Sequence, residues 1–559
     1  MEEGREATPI PTRKQTYGST PQAVVAVPGI PSSCWYILIV ELCERLSFYT
    51  FAGSQAFFLE HMGFSLANAG GLNATMWTLC TVLAVLASWL ADAVLGRYMT
   101  ILVSGITYLL GAACAAIAAW PGHEMAVLYF FGVMFFLPLG TAGIKANISN
   151  FGADQYDPSD PGHAEAQERF FSVFYLSINL GAGVAYGFFT TFASSGGIGV
   201  PKRYGYFVAY ALMSVCMFLA VCIYRAGRHN YRVAPLQRKS ALATVGGALV
   251  RAAKAYSARS VSVLLGVVLL LASIILSAMK ALMPAMGNSM TFSAFATAGF
   301  GSLAVVIPCM DPAWIVTSAS PTTEEQDVQS FLRIVPVLFT GNLSFGALYN
   351  SMQFWYQQQA CQMDVRMPFG RGFQLSGSFF NIADCLAIVL VTPIAVDWFN
   401  PFIERCLGTK LQHGLKFGLG MLIAGASVGT AIRLEQVRRH SSVLSIESNC
   451  APPGIGMSDI SGTWMMVPFF LMGIGEIYTQ PTLLHFAYTK SAPTMRTLAM
   501  AASFFISGVS SALFAVLVGA LSGYIPNDLN KGRLEFGYYV NIAIGIVFYA
   551  FFIFVLRGM

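Results

Sequence analysis

The sequence predicts an all-α, polytopic membrane protein, and three observations carry that prediction. Hydrophobic residues make up 55% of the 559 positions and charged residues only 11%, against roughly 25% charged in an ordinary soluble protein. The mean hydropathy is +0.61. The apolar residues recur in runs of about 20, the length that crosses a bilayer core. Twelve such helices need roughly 240 residues, and the apolar set of about 300 supplies them. This balance excludes a soluble enzyme, a nucleic-acid binder and a disordered scaffold. The net charge of +5 is small, and there is no block of five or six like charges to serve as a nucleic-acid arm.

Residues 1–33 are polar, mixed in charge and rich in Pro and Thr. They lack the basic start and apolar core of a cleavable signal, so a disordered cytosolic tail is expected. Six spans follow, at about 34–59, 68–94, 98–119, 125–149, 167–194 and 204–225, making a first bundle over 34–226. Residues 227–330 form a basic linker holding two further apolar runs, 261–283 and 289–309. Six more spans, at 331–357, 373–397, 412–434, 461–487, 494–524 and 534–556, make a second bundle over 331–559. The total is fourteen hydrophobic helices, and the extra pair leaves the topology of the second six intact.

Placing both termini in the cytosol puts most of the 32 Lys and Arg on that side. The largest share follows the sixth span: Arg225, Arg228, Arg232, Arg238, Lys239, Arg251, Lys254 and Arg259. This is the positive-inside pattern. The stretch 238–259 has the composition of a helix lying along the inner membrane surface. Cysteines number 11. Most sit in apolar runs, as small packing residues. Cys361 and Cys450 fall in loops, where pairing requires that both face an oxidising compartment. No CxxC or HExxH supports a metal site.

Six helices, a basic linker and six helices is the layout of a two-bundle secondary transporter, with its substrate site near the midplane between the halves. Between the second and third spans, Ala91-Asp92-Ala93-Val94-Leu95-Gly96-Arg97 resembles the loop motif of the major facilitator superfamily. Asp92 and Arg97 would form a charge cluster at the cytosolic gate.

Charges inside spans cost about 2.5–3.5 kcal/mol each at a helix centre, so those present usually line a cavity and serve function. Glu41, Glu44 and Arg45 share one face of the first span through i, i+3 and i+4 spacing. Two acids and one base held out of water make a proton-responsive switch: protonating one Glu frees Arg45 for another anion. Lys145, late in the fourth span, is either a second cavity cation beside Arg45 or a snorkelling interface residue. Glu476 stands mid-span with no Lys or Arg near it in sequence, and Asp384 shares a face with Asn381. Cations thus gather in the first half and acids in the second, which suits a zwitterion clamped between the bundles: an amino acid or short peptide.

Glu41-Leu42-Cys43-Glu44-Arg45-Leu46-Ser47-Phe48-Tyr49 resembles the ExxERFxYY signature of the proton-coupled oligopeptide transporter family. The stretches from Gly143 to Gln155, Phe171 to Gly181 and Gly475 to Pro493 resemble its other signatures, in the right order across both halves. Lys145 to Ile148 and Phe504 to Val509 look most like the eukaryotic peptide/histidine branch. The resemblance implies proton coupling by Glu41, Glu44 and Arg45. It implies a peptide carboxylate on Arg45 and Lys145, a backbone held by Tyr49 and Asn179, and an amino terminus on Glu476, with Asp384 facing the pocket. It also implies that the extra helices pack at the periphery. The chain departs from the family at Phe48, Thr81, Ala74, Gly346 and His485, which leaves coupling readable and suggests a roomier pocket. His485 reads as a packed, hydrogen-bonded residue before it reads as a proton relay.

The expected activity is proton-driven symport of di- and tripeptides, with histidine as a further substrate, no cofactor and no enzyme chemistry. The expected seat is the plasma membrane or an acidic organelle such as the lysosome or vacuole. The competing readings are a nitrate-type anion symporter of the same family, against which the absence of His from the span at 331–357 counts, and a non-transporting sensor or signalling scaffold.

Overall fold

The computed structural model describes residues 29–157, 159, 162–197, 199–233, 236, 240–255, 257–283, 287–316, 322–367, 372–409 and 411–558. Most of the expected tail, together with Arg238 and Lys239, lies outside the described residues. The first six long helices are α1 (Ser32–His61), α2 (Leu66–Leu95), α3 (Arg97–Ala118), α4 (Ala126–Ala153), α5 (Arg169–Ser195) and α6 (Lys202–Asn230). Then come a 14-residue helix α7 (Ala241–Lys254) and the inserted pair α8 (Ala258–Leu282) and α9 (Gly287–Met310). The series continues with α10 (Thr323–Cys361), α11 (Gly377–Ile394), α12 (His413–His440), α13 (Met466–Lys490), α14 (Pro493–Ala520) and α15 (Leu534–Arg557).

Twelve of these helices are long and apolar enough to cross a membrane. The two long helices outside that set, α1 and α13, are the ones that carry Glu41, Glu44, Arg45 and Glu476. At 1.5 Å per residue the 30-residue α1 runs about 45 Å. Several helices outrun their expected spans. α10 starts eight residues early, in a capping box where Thr322 and Glu325 satisfy each other's backbone N–H groups. α12 continues to His440 because Glu435 and Arg438, where the apolar run ends, are buried against each other.

Two cores divide the helices. One is built from α1 to α6, around Phe51, Tyr108, Tyr129 and Tyr210. The other is built mainly from α10 to α15, around Trp355, Tyr356, Phe469 and Tyr538, and takes in residues of α2 and of α7 to α9. The halves meet where α2 packs along α14 and α5 along α11. The pair α8/α9 packs on α2, α10 and α14 and leaves Phe292 and Phe300 on the outer surface. α7 departs from the sequence expectation. Val245, Ala248, Leu249 and Ala252 bury its apolar face in the protein core, so that face does not rest on lipid. A small sheet interrupts the helical pattern, in the order β1 (Met363–Asp364), β3 (Gly456–Ser461), β2 (Val443–Glu447). β3 pairs parallel with β1 and antiparallel with β2.

Candidate functional site

α1 holds Glu41, Glu44 and Arg45 within about one turn of one another and buries all three. Arg45 Nε lies 3.2 Å from Glu41 Oε1 and donates to Glu44 Oε2 at 2.5 Å, and its Nη2 is also paired with Glu44. One oxygen of each glutamate, Glu41 Oε2 and Glu44 Oε1, has no hydrogen-bond partner. The cluster carries one more acid than base and is incompletely satisfied. Gly181 explains how α5 closes over it. A Cβ there would sit 2.9 Å from Arg45 Cβ and 3.1 Å from Leu42 O and Leu46 N, so only glycine permits this crossing. The Arg45 guanidinium lies 5.2 Å from the Phe48 ring centroid and 5.8 Å from that of Tyr49.

Lys145 is half-buried on α4, and its ammonium sits 5.3 Å from the ring of Phe504 on α14. It therefore points toward the other half and does not snorkel to an interface. It lies within electrostatic reach of Arg45, Glu41 and Glu44 on one side and of Glu476 on the other. Glu476, on α13, lies beside Tyr349 of α10 and leaves Oε2 without a hydrogen-bond partner. Asp384 on α11 is buried and leaves Oδ1 without a partner. A Cβ at Gly473 would lie 2.8 Å from that oxygen, so Asp384 packs one turn from Glu476. Tyr49, 5.4 Å ring to ring from Tyr186, is within electrostatic reach of both acids. Asn179 is buried on α5 and donates to the carbonyl of Tyr175 at 2.9 Å. Arg45, Tyr49, Lys145, Asp384 and Glu476 thus converge on one region between the halves, with Asn179 at its α5 edge.

Two aromatic hydroxyls there went unremarked in the sequence, Tyr349 and Tyr175; both face Glu476 and Asp384. Three departures from the family pattern are filled by neighbours. Ala74 is fully buried, Thr81 meets Gly508, and Gly346 lies against Ser510. The expected extra room is absent at those three positions. His485 is hydrogen-bonded, as expected, but on an exposed surface: its Nδ1 lies 3.0 Å from Nε2 of His413, with the rings stacked.

The hydrogen bonds that the described residues make between the first six and last six helices all lie at one end. Ser378 donates to Gly53 O at 2.5 Å, Gln358 to Glu60 Oε1 at 3.2 Å, and Asn449 to Ser195 at 2.5 Å. Glu60 is 2% exposed. At this end Cys361 and Cys450 form a disulfide, Cα to Cα 5.5 Å. The two therefore bond to each other, and the packing role fits only the cysteines inside the spans. At the other end Arg97 bonds Asp154 Oδ2 at 2.5 Å and approaches Asp92 only to 3.8 Å. The expected Asp92–Arg97 pair is thus secondary to a partner at the end of α4. Gly96, at φ +79°, makes the turn between α2 and α3 that presents Arg97.

A nearly all-helical, multi-pass chain with buried, unevenly paired charges facing each other across two halves is a membrane transporter. A family profile, "PTR2: POT family", matches residues 98–531, and the chain belongs to that family. It is 26% identical over 550 residues to Protein NRT1/PTR FAMILY 8.1 of Arabidopsis thaliana, covering 91% of this chain and 90% of that protein. It is 27% identical over 554 residues to Protein NRT1/PTR FAMILY 8.2 of the same plant, covering 92% and 90%. Its fold is similar to the in meso crystal structure of the POT family transporter PepTSo, with a TM-score of 0.74, 22% identity and coverage of 95% and 99%. The crystal structure of an auto-inhibited POT family peptide transporter gives a TM-score of 0.73, with 20% identity and coverage of 93% and 96%. The fold is of the major facilitator type, and members of this family are transporters, not enzymes.

Proposed function

We propose that this POT family transporter is a proton-coupled symporter of di- and tripeptides that works by alternating access, with histidine as a further substrate. One observation carries the reading. Two acids with unpartnered oxygens, Glu476 and Asp384, face two cations, Arg45 and Lys145, across the divide between the halves. A zwitterion of short-peptide length satisfies both poles, whereas a lone charge of either sign meets like charge at one of them. Arg45 and Lys145 take the carboxylate, Glu476 and Asp384 the amine, and Tyr49 and Asn179 the backbone between. Protonating Glu41 or Glu44 loosens Arg45 from its cage and lets it engage the substrate, so binding follows the proton. A charge moved down 100 mV provides about 2.3 kcal/mol, enough for nearly fifty-fold accumulation.

The two bundles, 34–226 and 331–559, are the moving bodies, and 227–330 joins them. Both termini face the cytosol. The bonded end then faces outward or into an organelle lumen, where a disulfide persists, and the structure is closed on that side. Asp92 and Arg97, with Asp154, belong to the cytosolic gate. Plasma and acidic-organelle membranes both supply the gradient.

The second reading, nitrate-type symport, draws support from the names of the Arabidopsis relatives. The acidic face formed by Asp384 and Glu476 disfavours a small anion. Proteoliposome uptake of a labelled dipeptide under an inward proton gradient tests the proposal. Uptake should rise with the gradient, ignore nitrate as a competitor and lose its pH dependence in Glu44→Gln. Uptake that ignores pH and survives Glu44→Gln would overturn it.

A further inference from the structure

At the end opposite the disulfide, the start of α10, the start of α12 and the end of α13 line an open cavity of about 610 Å³. Its charged lining is wholly cationic: Arg333 from α10, Lys490 from α13 and, when protonated, His413 from α12, with Gln326 and Gln412 as further donors. Arg333, expected inside a span, is exposed here, as is Lys490, and among the described residues neither forms an ion pair. Asp327, which accepts from Thr494 at 2.6 Å, and Glu324, which pairs with Arg251 at 3.4 Å, do not line the cavity. Two helices thus present cations, and a third a histidine, to a chamber whose described lining includes no acidic side chain.

Arg333 also lines a second cavity, of about 420 Å³. Its walls are apolar: Met310 from α9, Pro336 from α10, and Ala550, Ile553 and Phe554 from α15, with Arg557 also in the lining. Phe554 is 65% exposed and Met310 46%. This trough opens on the outer, lipid-facing surface. One arginine therefore stands where a cationic chamber meets an apolar groove.

We propose that this paired cavity binds an anionic phospholipid whose head group carries more than one negative charge. The head sits in the chamber against Arg333 and Lys490, and an acyl chain lies along the trough. A basic pocket between membrane helices at a cytosolic face is the general form of such a site. A soluble phosphate compound would fill the chamber but have no use for the trough, and a neutral lipid would leave the cations unanswered. The inserted helices acquire a role, because α9 supplies one wall of the groove.

Native mass spectrometry of the full-length chain in detergent tests this with three probes: dioctanoyl phosphatidylinositol 4-phosphate, dioctanoyl phosphatidylcholine and inositol 1,4-bisphosphate. The phosphoinositide should be held about tenfold more tightly than phosphatidylcholine, the scale of a charge-assisted contact. The double variant Arg333→Gln/Lys490→Gln should erase that preference. Ala550→Trp, which fills the trough from an exposed position, should weaken the phosphoinositide and leave the bisphosphate unchanged. Equal retention of phosphatidylcholine, or a preference that survives the double variant, would overturn the proposal. So would a bisphosphate that binds as tightly as the lipid with no effect of Ala550→Trp, which would define a soluble-anion site. These outcomes are read without transport, so they stand or fall separately from peptide symport.

Discussion

Two arginines are buried among the described residues, Arg45 and Arg438, and their surroundings are opposite. Arg438 on α12 is fully buried with Glu435 and makes a bidentate pair at 2.7 and 2.8 Å. Its remaining Nη1 donates to Ser458 at 3.2 Å and to Asn530 at 2.8 Å, so α12, β3 and the segment before α15 are tied together. One acid meets one base there, and the guanidinium is well supplied with acceptors. Arg45 is buried with two acids, and an oxygen of each is unsatisfied. Burial alone therefore does not mark a working charge. Charge surplus and unfilled hydrogen-bonding capacity do, because an incompletely satisfied cluster has an alternative arrangement close in free energy and a saturated one does not.

The largest effect that would break this comparison is on stability at the saturated pair. Arg438→Met leaves Glu435 buried without a partner and should destabilise by about 3–5 kcal/mol, read as a fall in Tm in detergent. The double variant Glu435→Leu/Arg438→Met should recover most of that loss. If it does not, the pair does more than hold the fold.

The counterpart at α1 should separate function from stability. Arg45→Lys should cut dipeptide uptake by about tenfold to a hundredfold, the scale of a lost bidentate charge-assisted contact of about 1.5–3 kcal/mol. Its Tm should stay close to that of the unaltered protein. Glu44→Gln removes the surplus acid and should leave Tm unchanged or raised, whereas Glu435→Gln should lower it. Opposite signs for these two Glu→Gln changes are the sharpest form of the comparison, and equal signs would dissolve it.

A smaller effect is expected at the bonded end. Gln358→Ala removes the side chain that donates to buried Glu60 and should loosen the closed side by about 1–3 kcal/mol. Thiol labelling of a cysteine introduced at Ser376 should then rise, in a background where the native free cysteines are replaced. Unchanged labelling would mean that the seal does not depend on Glu60.

The smallest effect belongs to a half-exposed pair. Arg366 donates to Asp364 at 2.7 and 2.8 Å, and that hydrogen bonding holds the Asp364 carboxyl below the usual aspartate value. A depressed carboxylate pKa adds stability above the unfolded-state pKa, and the contribution is lost as pH falls through the folded one. Asp364→Asn should flatten that acidic segment of the Tm-against-pH curve by lowering Tm slightly at neutral pH while leaving it unchanged below the folded-state pKa. A large loss at neutral pH would show that exposure is a poor guide here.

Much of the fold was legible because membrane spans are local. An apolar run and the charges that end it are written contiguously, so most of the fourteen long helices fell within a few residues of expectation, with α10 and α12 running furthest past it. The Glu41–Glu44–Arg45 face was legible for the same reason, since its members lie within five residues. Where the structure departed, the partner was remote. Glu60 meets Gln358, 298 positions away in the sequence. Cys361 meets Cys450 across 89. Arg97 prefers Asp154, 57 residues away, over Asp92 in its own loop.

The amino-acid order by itself determined that the chain spans a membrane many times, where the spans fall, and which charges are out of place in them. Hydrophobic burial and helical spacing act over a few turns and leave a periodic trace. The tertiary structure alone decided which misplaced charges are saturated and which are left wanting, because hydrogen-bond satisfaction is settled by neighbours that folding brings in from distant helices.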